Sequence, residues 1–265
     1  PAMKITDIRA ILLSAPILPE RRWRSDLGVM VKTDNVIVVV DTDEGLRGIG
    51  AAHGGPEAIK AIVEYELQPA LVGEDPTDTE RLWEKMYNGS RFQPSLSRGY
   101  SMPGHGRRGE TLCAIAGVDI ALWDIWGQVL GQPIYKLLGA SRTSVRAYGS
   151  GGWAPGDEAE QELGGYAAKG FSAVKMRAEG RDGFSIQKAV RRIAAARRGI
   201  GPDVELMVDA HGSLDVSTAI RLVRRMEEYD VAWFEEPVSP DNHQGLAEVR
   251  SATSVPIATG EREAT

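Results

Sequence analysis

The chain has 265 residues, 42% hydrophobic and 26% charged, with a formal net charge of −6; that is room for one large domain, or for a small one beside part of another. The acidic balance excludes the basic surface that nucleic acid or an anionic membrane would demand. No apolar run is expected to reach the ~18 residues that span a bilayer, and no charged stretch followed by an apolar core opens the chain, so a cytoplasmic location is expected.

Residues 3–13 alternate loosely and read as a strand. Residues 14–28, SAPILPERRWRSDLG, mix prolines and arginines with no period and read as a loop. Residues 29–41 form a second strand, and Asp43-Glu44-Gly45 turns the chain into a third, LRGIGAA, giving a small antiparallel sheet. Pro56 opens a helix at its favoured first-turn position. A second helix is expected over 75–88, with Thr77 as N-cap and Glu80 three residues on. Residues 89–109 are rich in Gly, Ser, Pro and Arg and read as a loop. No strand precedes its GHGRRG, which argues against a phosphate cradle. Residues 111–129 are the strongest helix, with Leu112, Ile115, Val118, Ala121, Leu122 and Ile125 at helical spacing. Cys113, the one cysteine, falls inside it and reads as a core thiol, with a disulfide framework excluded.

After Gly139 the pattern changes. Strands at 145–148, 171–177, 205–209, 231–235 and 256–260 alternate with helices at 157–168, 184–198, 215–228 and 243–251. Strict strand–helix alternation means a parallel sheet, so a domain boundary is expected near 135–143. Five strands do not close a barrel. The remainder is expected from a longer chain or from elsewhere.

Three of these strands end in acids: ELMVD at Asp209, VAWFEEP at Glu235 and Glu236, and PIATGE at Glu261. The intervals from Asp209 to Glu235 and from Glu235 to Glu261 are both 26 residues. A (β/α) barrel spends roughly 30 residues per unit and keeps its chemistry at the C-terminal ends of its strands. A single strand-end acid can serve only to cap the next helix. Three at even spacing are expected to converge, and converging carboxylates need a cation; all-oxygen ligands favour Mg²⁺.

The sequence AGVDIALWDIWGQVLGQPIYKLLGA, then Lys175-x-Arg177, Asp209-x-His211, EEP and GE on successive strands, resembles the enolase superfamily, mandelate racemase-like branch. The resemblance runs over essentially the whole chain. It implies an α+β capping domain, residues 1–135, followed by a modified (β/α)7β TIM-like barrel, of which about five strands fall in residues 136–265. It also implies abstraction of the proton α to a carboxylate, with Mg²⁺ stabilising the enediolate; that chemistry is taken over from the family as a whole. Asp209, Glu235 and Glu261 fall at its metal-ligand positions, with Glu236 behind Glu235. Lys175 and Arg177, two apart on one strand face, would supply positive charge to the enediolate. Where the family often has a basic lysine, this chain has Arg177, which stays protonated and is a poor base.

Asp209-x-His211 resembles the acid-sugar dehydratases of the family, where such a histidine protonates the departing 3-hydroxyl. The resemblance places the general base on later strands, as a His paired with an Asp. Within this chain only Lys175 could substitute. Residues 14–28 and 50–55 would form the specificity loops, with Arg21, Arg22, Trp23, Arg24 and His53 as contacts.

The expected function is therefore a Mg²⁺-dependent hydro-lyase converting an aldonate or aldarate to a 2-keto-3-deoxy acid. Its substrate is a small-molecule sugar acid, and a homo-oligomer is expected. The alternatives are a cycloisomerase or racemase/epimerase of the same superfamily, a Schiff-base aldolase using Lys175, and an inactive fragment acting as a binding module.

Overall fold

The structure is a computed structural model that describes residues 2–22, 24–25, 28–88 and 108–263. It divides into two compact units: residues 2–17 with 31–143, and residues 18–30 with 144–263.

The first unit is built on an antiparallel sheet of β1 (Ile5–Pro16), β4 (Lys32–Thr42) and β5 (Arg47–Ala52), in the order β1-β4-β5. β1 is longer than the expected strand and takes in Ser14–Pro16, because its register with β4 continues to Pro16↔Lys32. The loop expected over 14–28 also holds a short antiparallel pair, β2 (Arg24–Ser25) with β3 (Gly28–Val29), which belongs to the second unit.

Pro56 does open a helix, α1 (Pro56–Ile62), which runs through a π-helical turn (Val63–Leu67) into α2 (Gln68–Leu71). The next helix, α3 (Thr79–Asn88), begins later than expected. Thr77 does not cap it: its amide and hydroxyl both donate to Asp75 Oδ1, at 2.9 and 2.7 Å, forming a turn that competes with the helix start. The GHGRRG motif falls outside the described residues except for its last two.

α4 (Glu110–Leu130) lies directly on β5. The glycines of LRGIGAA make that approach possible. A Cβ on Gly48 would sit 2.0 Å from the Ala121 carbonyl oxygen, and one on Gly50 2.0 Å from that of Gly117. Contrary to expectation, α4 is, by length and composition only, long and apolar enough to cross a membrane. Its Ala114, Ile115, Val118, Ala121, Leu122 and Ile125 are instead buried with Val36, Val38 and Val40 of β4, as expected of a core helix. Cys113 is half-buried against that core, and burial pushes its thiol pKa up.

α4 also carries Asp119, whose pKa is raised to about 6 by burial, helped by the charge of Glu80. The folded protein thus keeps a proton that the unfolded chain releases above the usual carboxylate pKa. Stability from this site is complete at low pH and falls as the pH rises through about 6. Asp119→Asn should therefore raise stability at pH 7.5 by about 1–2 kcal/mol and change it little below pH 4, read from melting curves at the two pH values.

The second unit is a parallel sheet in the order β10-β9-β8-β7-β6. Its strands are β6 (Gly149–Gly151), β7 (Ala173–Arg177), β8 (Glu205–Asp209), β9 (Val231–Glu235) and β10 (Ile257–Ala258). Between them run α6 (Glu158–Ala168), α7 (Ile186–Ile200), α8 (Val216–Met226) and α9 (His243–Ser251). A single-turn helix, α5 (Ile134–Leu137), precedes this sheet in the chain. Ser185, Asp215 and Asn242 cap α7, α8 and α9 by accepting the amides of Lys188, Thr218 and Gly245.

β6 corrects the expected strand at 145–148: Val145 is 78% exposed, and the pairing begins at Gly149↔Val174. There the missing side chains leave room for Tyr166, which would sit 2.6 Å from a Cβ on either Gly149 or Gly151. Val174, Met176, Leu206, Val208 and Phe234 are buried in one core with residues of α6 to α9. Alternation therefore puts Lys175, Arg177, Asp209, Trp233 and Glu235 on the opposite face.

Candidate active site

Register brings the charged residues of that face together. Arg177 pairs with Asp209 across β7 and β8, Asp209 with Glu235 across β8 and β9, and Glu235 with Ala258 across β9 and β10. All stand at the C-terminal ends of their strands. Lys175 Nζ lies 2.6 Å from Glu235 Oε1 and 3.5 Å from Asp209 Oδ2, and Arg177 Nη1 donates to Asp209 Oδ2 at 2.6 Å. The four side chains are 8–16% exposed, so water screens these pairs far less than it would surface pairs. Burial works against the Lys175 ammonium, but the hydrogen bond to Glu235 and the charges of Asp209 and Glu235 outweigh it. The Lys175 pKa lies above its ordinary value.

His211 sits just past β8. Its amide donates to Asp209 Oδ1 at 2.8 Å, and its backbone is left-handed, with φ 51°. Its Nε2 is 3.1 Å from a guanidinium nitrogen of Arg262. Arginine can only donate, so Nε2 accepts and the ring proton is assigned to Nδ1. Glu236 has φ 37°. Left-handed backbone at two non-glycine residues beside one cluster is the kind of strain that gathers at functional sites.

Glu261 stands apart from the other acids, three residues beyond β10, half-exposed and 3.8 Å from Arg262. It lines an open depression together with Glu235, Glu236, Ala258 and Thr259. Among the described residues, no three acidic, His or Cys side chains are close enough together to hold a metal ion. The structure thus brings Lys175, Arg177, Asp209 and Glu235 to one point, puts His211 on Asp209 through its backbone, and leaves Glu261 at the rim.

The donor chemistry nonetheless fits a hard divalent cation: Asp209 and Glu235 at the ends of neighbouring strands, and Glu261 on the turn after β10, offer only carboxylate oxygens. The depression also carries an orphan. Glu236 Oε1 is buried with no hydrogen-bond partner, and burial, then the charge of Glu261, pushes the Glu236 carboxyl pKa up. Excess negative potential at this spot is what a cation would relieve.

Sequence reasoning missed the aromatic residues that frame the cluster. Trp233 Nε1 donates to Glu235 Oε2 at 2.9 Å. Lys175 lies 5.5 Å from the ring centre of Tyr148, which meets Trp233 edge-on, and Arg177 lies 5.2 Å from the ring of Trp153. Trp233 was within reach of sequence analysis, being two residues before Glu235 on the same strand. Of the proposed specificity contacts, Arg22 and His53 are exposed. Trp23 and the side chains of Arg21 and Arg24 lie outside the described residues.

A parallel sheet with acids and a Lys–Arg pair at its strand ends, preceded by an α+β unit, is the architecture of a (β/α) barrel protein with a charged site at its strand ends. Residues 15–139 match the mandelate racemase / muconate lactonizing enzyme N-terminal domain, and residues 158–265 match the enolase C-terminal domain-like family. The chain belongs to the enolase superfamily, in its mandelate racemase-like branch, whose architecture is a capping domain and a TIM-barrel-like domain. It is 36% identical to D-galactarolactone cycloisomerase of Agrobacterium fabrum over 98% of this chain and 65% of that protein. It is 34% identical to arabinonate dehydratase of Saccharolobus solfataricus over 84% of this chain and 57% of that one. The chain thus spans less than two thirds of the length of either relative. Among solved structures, a racemase from Streptomyces coelicolor with bound magnesium superposes with a TM-score of 0.83 at 31% identity, over 97% of this chain and 69% of that one.

Proposed function

We propose that the protein is a Mg²⁺-dependent acid-sugar dehydratase. It would take the proton α to the carboxylate of an aldonate or aldarate, expel the β-hydroxyl as water and release a 2-keto-3-deoxy acid. The observation that carries this reading is the Lys175–Glu235–Asp209–Arg177 cluster at the strand ends, with the His211 peptide bound to Asp209. Asp209, Glu235 and Glu261 would hold the ion, which when bound supplies positive charge to the enediolate oxygens. Lys175 and Arg177 would face the substrate carboxylate and stabilise charge that grows as the α-proton leaves. His211, once protonated on Nε2 in place of its Arg262 contact, would give that proton to the departing hydroxyl, a poor leaving group without one, and return to the neutral ring. The similarity to arabinonate dehydratase supports this assignment.

A second reading rests on the similarity to D-galactarolactone cycloisomerase. There the same α-proton loss would expel a ring oxygen, opening a lactone to an isomer without loss of water. The two readings separate in one experiment. The full-length protein with Mg²⁺ is incubated with a panel of aldonates, aldarates and their lactones, and products are followed by mass spectrometry and by keto-acid derivatisation. Loss of one water from an open-chain acid is expected. A lactone converted at unchanged mass would establish the cycloisomerase, and turnover of neither class would end both readings.

A further inference from the structure

The segment Gly152-Trp153-Ala154, between β6 and α6, has all six of its backbone polar groups bonded. Its three amides donate to one carboxylate: Gly152 and Trp153 to Glu162 Oε1, each at 3.2 Å, and Ala154 to Oε2 at 2.7 Å. The carbonyls of Gly152 and Ala154 accept from Arg192, the latter at 2.8 Å, and that of Trp153 accepts the Arg181 amide at 2.9 Å. Gly152 has φ 75°, and a Cβ there would lie 2.4 Å from the Met176 Cβ, so the segment is pressed onto β7.

Arg192 is fully buried. It also reaches the end of β7, where Nη1 donates to the carbonyls of Arg177 at 2.7 Å and Ala178 at 3.0 Å. Burial pushes the Arg192 pKa down to about 10, which still leaves it charged at neutral pH. Burying an ion that is bonded to carbonyls alone is a costly way to fill a core. Its bonds go to two places only, the carbonyls flanking Trp153 and the strand end carrying Arg177. Those two side chains meet, with the Arg177 guanidinium carbon 5.2 Å from the Trp153 ring centre.

We infer that Glu162 and Arg192 form a clamp that sets Trp153 against the Arg177 guanidinium, and that all three are positioning residues for Arg177. Glu162 grips the segment by its amides and Arg192 by its carbonyls, so the indole is presented at a fixed height beside β7. Stacking on the ring leaves the guanidinium its rotation-restricted edge, one nitrogen of which donates to Asp209 Oδ2 at 2.6 Å. A planar fork held in this way would meet a ligand carboxylate without first having to be ordered. The inference rests on the proposed role of Arg177 in binding an acid sugar.

The test uses the full-length protein and two readouts. The first is the iodide-quenchable emission of Trp153, taken as the difference between each protein and the same protein carrying Trp153→Phe. Arg192→Lys keeps the charge but loses the planar fork, and Glu162→Gln is the milder second variant. Either should raise the quenching of Trp153 while leaving far-ultraviolet dichroism unchanged. The second readout is a double-mutant cycle on acid-sugar turnover. Arg192→Lys should cost about tenfold or more in kcat/KM in the wild-type background and less than about twofold once Arg177→Ala is present.

Unchanged quenching, or equal losses in both backgrounds, would overturn the clamp, because a residue that only supports the fold adds its cost regardless of Arg177. If Arg177→Ala itself leaves turnover untouched, the functional reading of Arg177 falls. The quenching result then decides the clamp alone.

Discussion

Asp209→Asn should lower turnover in the full-length protein by about 10³-fold or more, and should abolish exchange of the α-proton together with dehydration. Every contact of this carboxylate depends on its being an anion that accepts hydrogen bonds. Oδ2 faces Arg177 at 2.6 Å and Lys175 at 3.5 Å, and Oδ1 takes the His211 amide at 2.8 Å. Asparagine has nearly the same shape but turns an N–H₂ towards a donor on one side or the other and removes the charge. Lys175 would then keep Glu235 alone and Arg177 would lose its carboxylate partner, in a place that water screens poorly. Removing one member of a buried pair typically costs ~3–5 kcal/mol because the partner is left uncompensated. Arg177, which donates to Asp209, would lose its placement, and loss of one donor that stabilises developing charge typically costs ~10²–10³ in rate. Asp209 also supplies one of the three carboxylates proposed for Mg²⁺, so binding of the ion, followed by titration calorimetry, should weaken in parallel. A folded Asp209→Asn protein that dehydrates at the wild-type rate would remove the cluster from the mechanism.

The strand ends that carry this chemistry were legible because their signal is local. Glu205–Asp209 and Val231–Glu235 are apolar runs closed by an acid, and both strands occupy the expected residues. Glu261 was placed by the run PIATGE, by even spacing and by the GE of the family pattern. Spacing gives position along the chain but not side-chain direction, and β10 ends at Ala258, leaving Glu261 on a turn. β6 was misplaced because Val145 and Tyr148 carry the usual strand propensities. The true strand is a glycine run whose partner surface, Tyr166, comes from another element. Glu162, Arg192 and Trp153 were invisible for the same reason. Nothing in the sequence near Glu162 says that its carboxylate gathers three amides, and a buried arginine bonded to carbonyls looks, as sequence, like any helix arginine. Trp233 lay in plain view in VAWFEE, and its hydrogen bond to Glu235 follows from the two-residue period of a strand.

His211→Asn is the sharper test, because it should divide the reaction rather than stop it. The backbone at His211 is left-handed, with φ 51°, a conformation that asparagine adopts more readily than most residues. The amide to Asp209 Oδ1 and the neighbouring bond from the Gly212 amide to the Glu236 carbonyl, at 2.8 and 2.7 Å, are backbone contacts that the substitution leaves in place. What disappears is the imidazole, with its Nε2 held by Arg262 and its proton assigned to Nδ1. A carboxamide can hydrogen-bond in the same space but cannot give up a proton as an acid. Loss of general acid catalysis typically costs ~10²–10⁴-fold, and that cost should fall on departure of the hydroxyl. Removal of the α-proton, served by Lys175, Arg177 and the acids, should continue. In D₂O the variant should therefore form little keto acid while deuterium enters the α-position of recovered substrate. Normal dehydration would make the histidine incidental. Loss of exchange together with dehydration would assign His211 the base role and reverse the order of proton transfers proposed here.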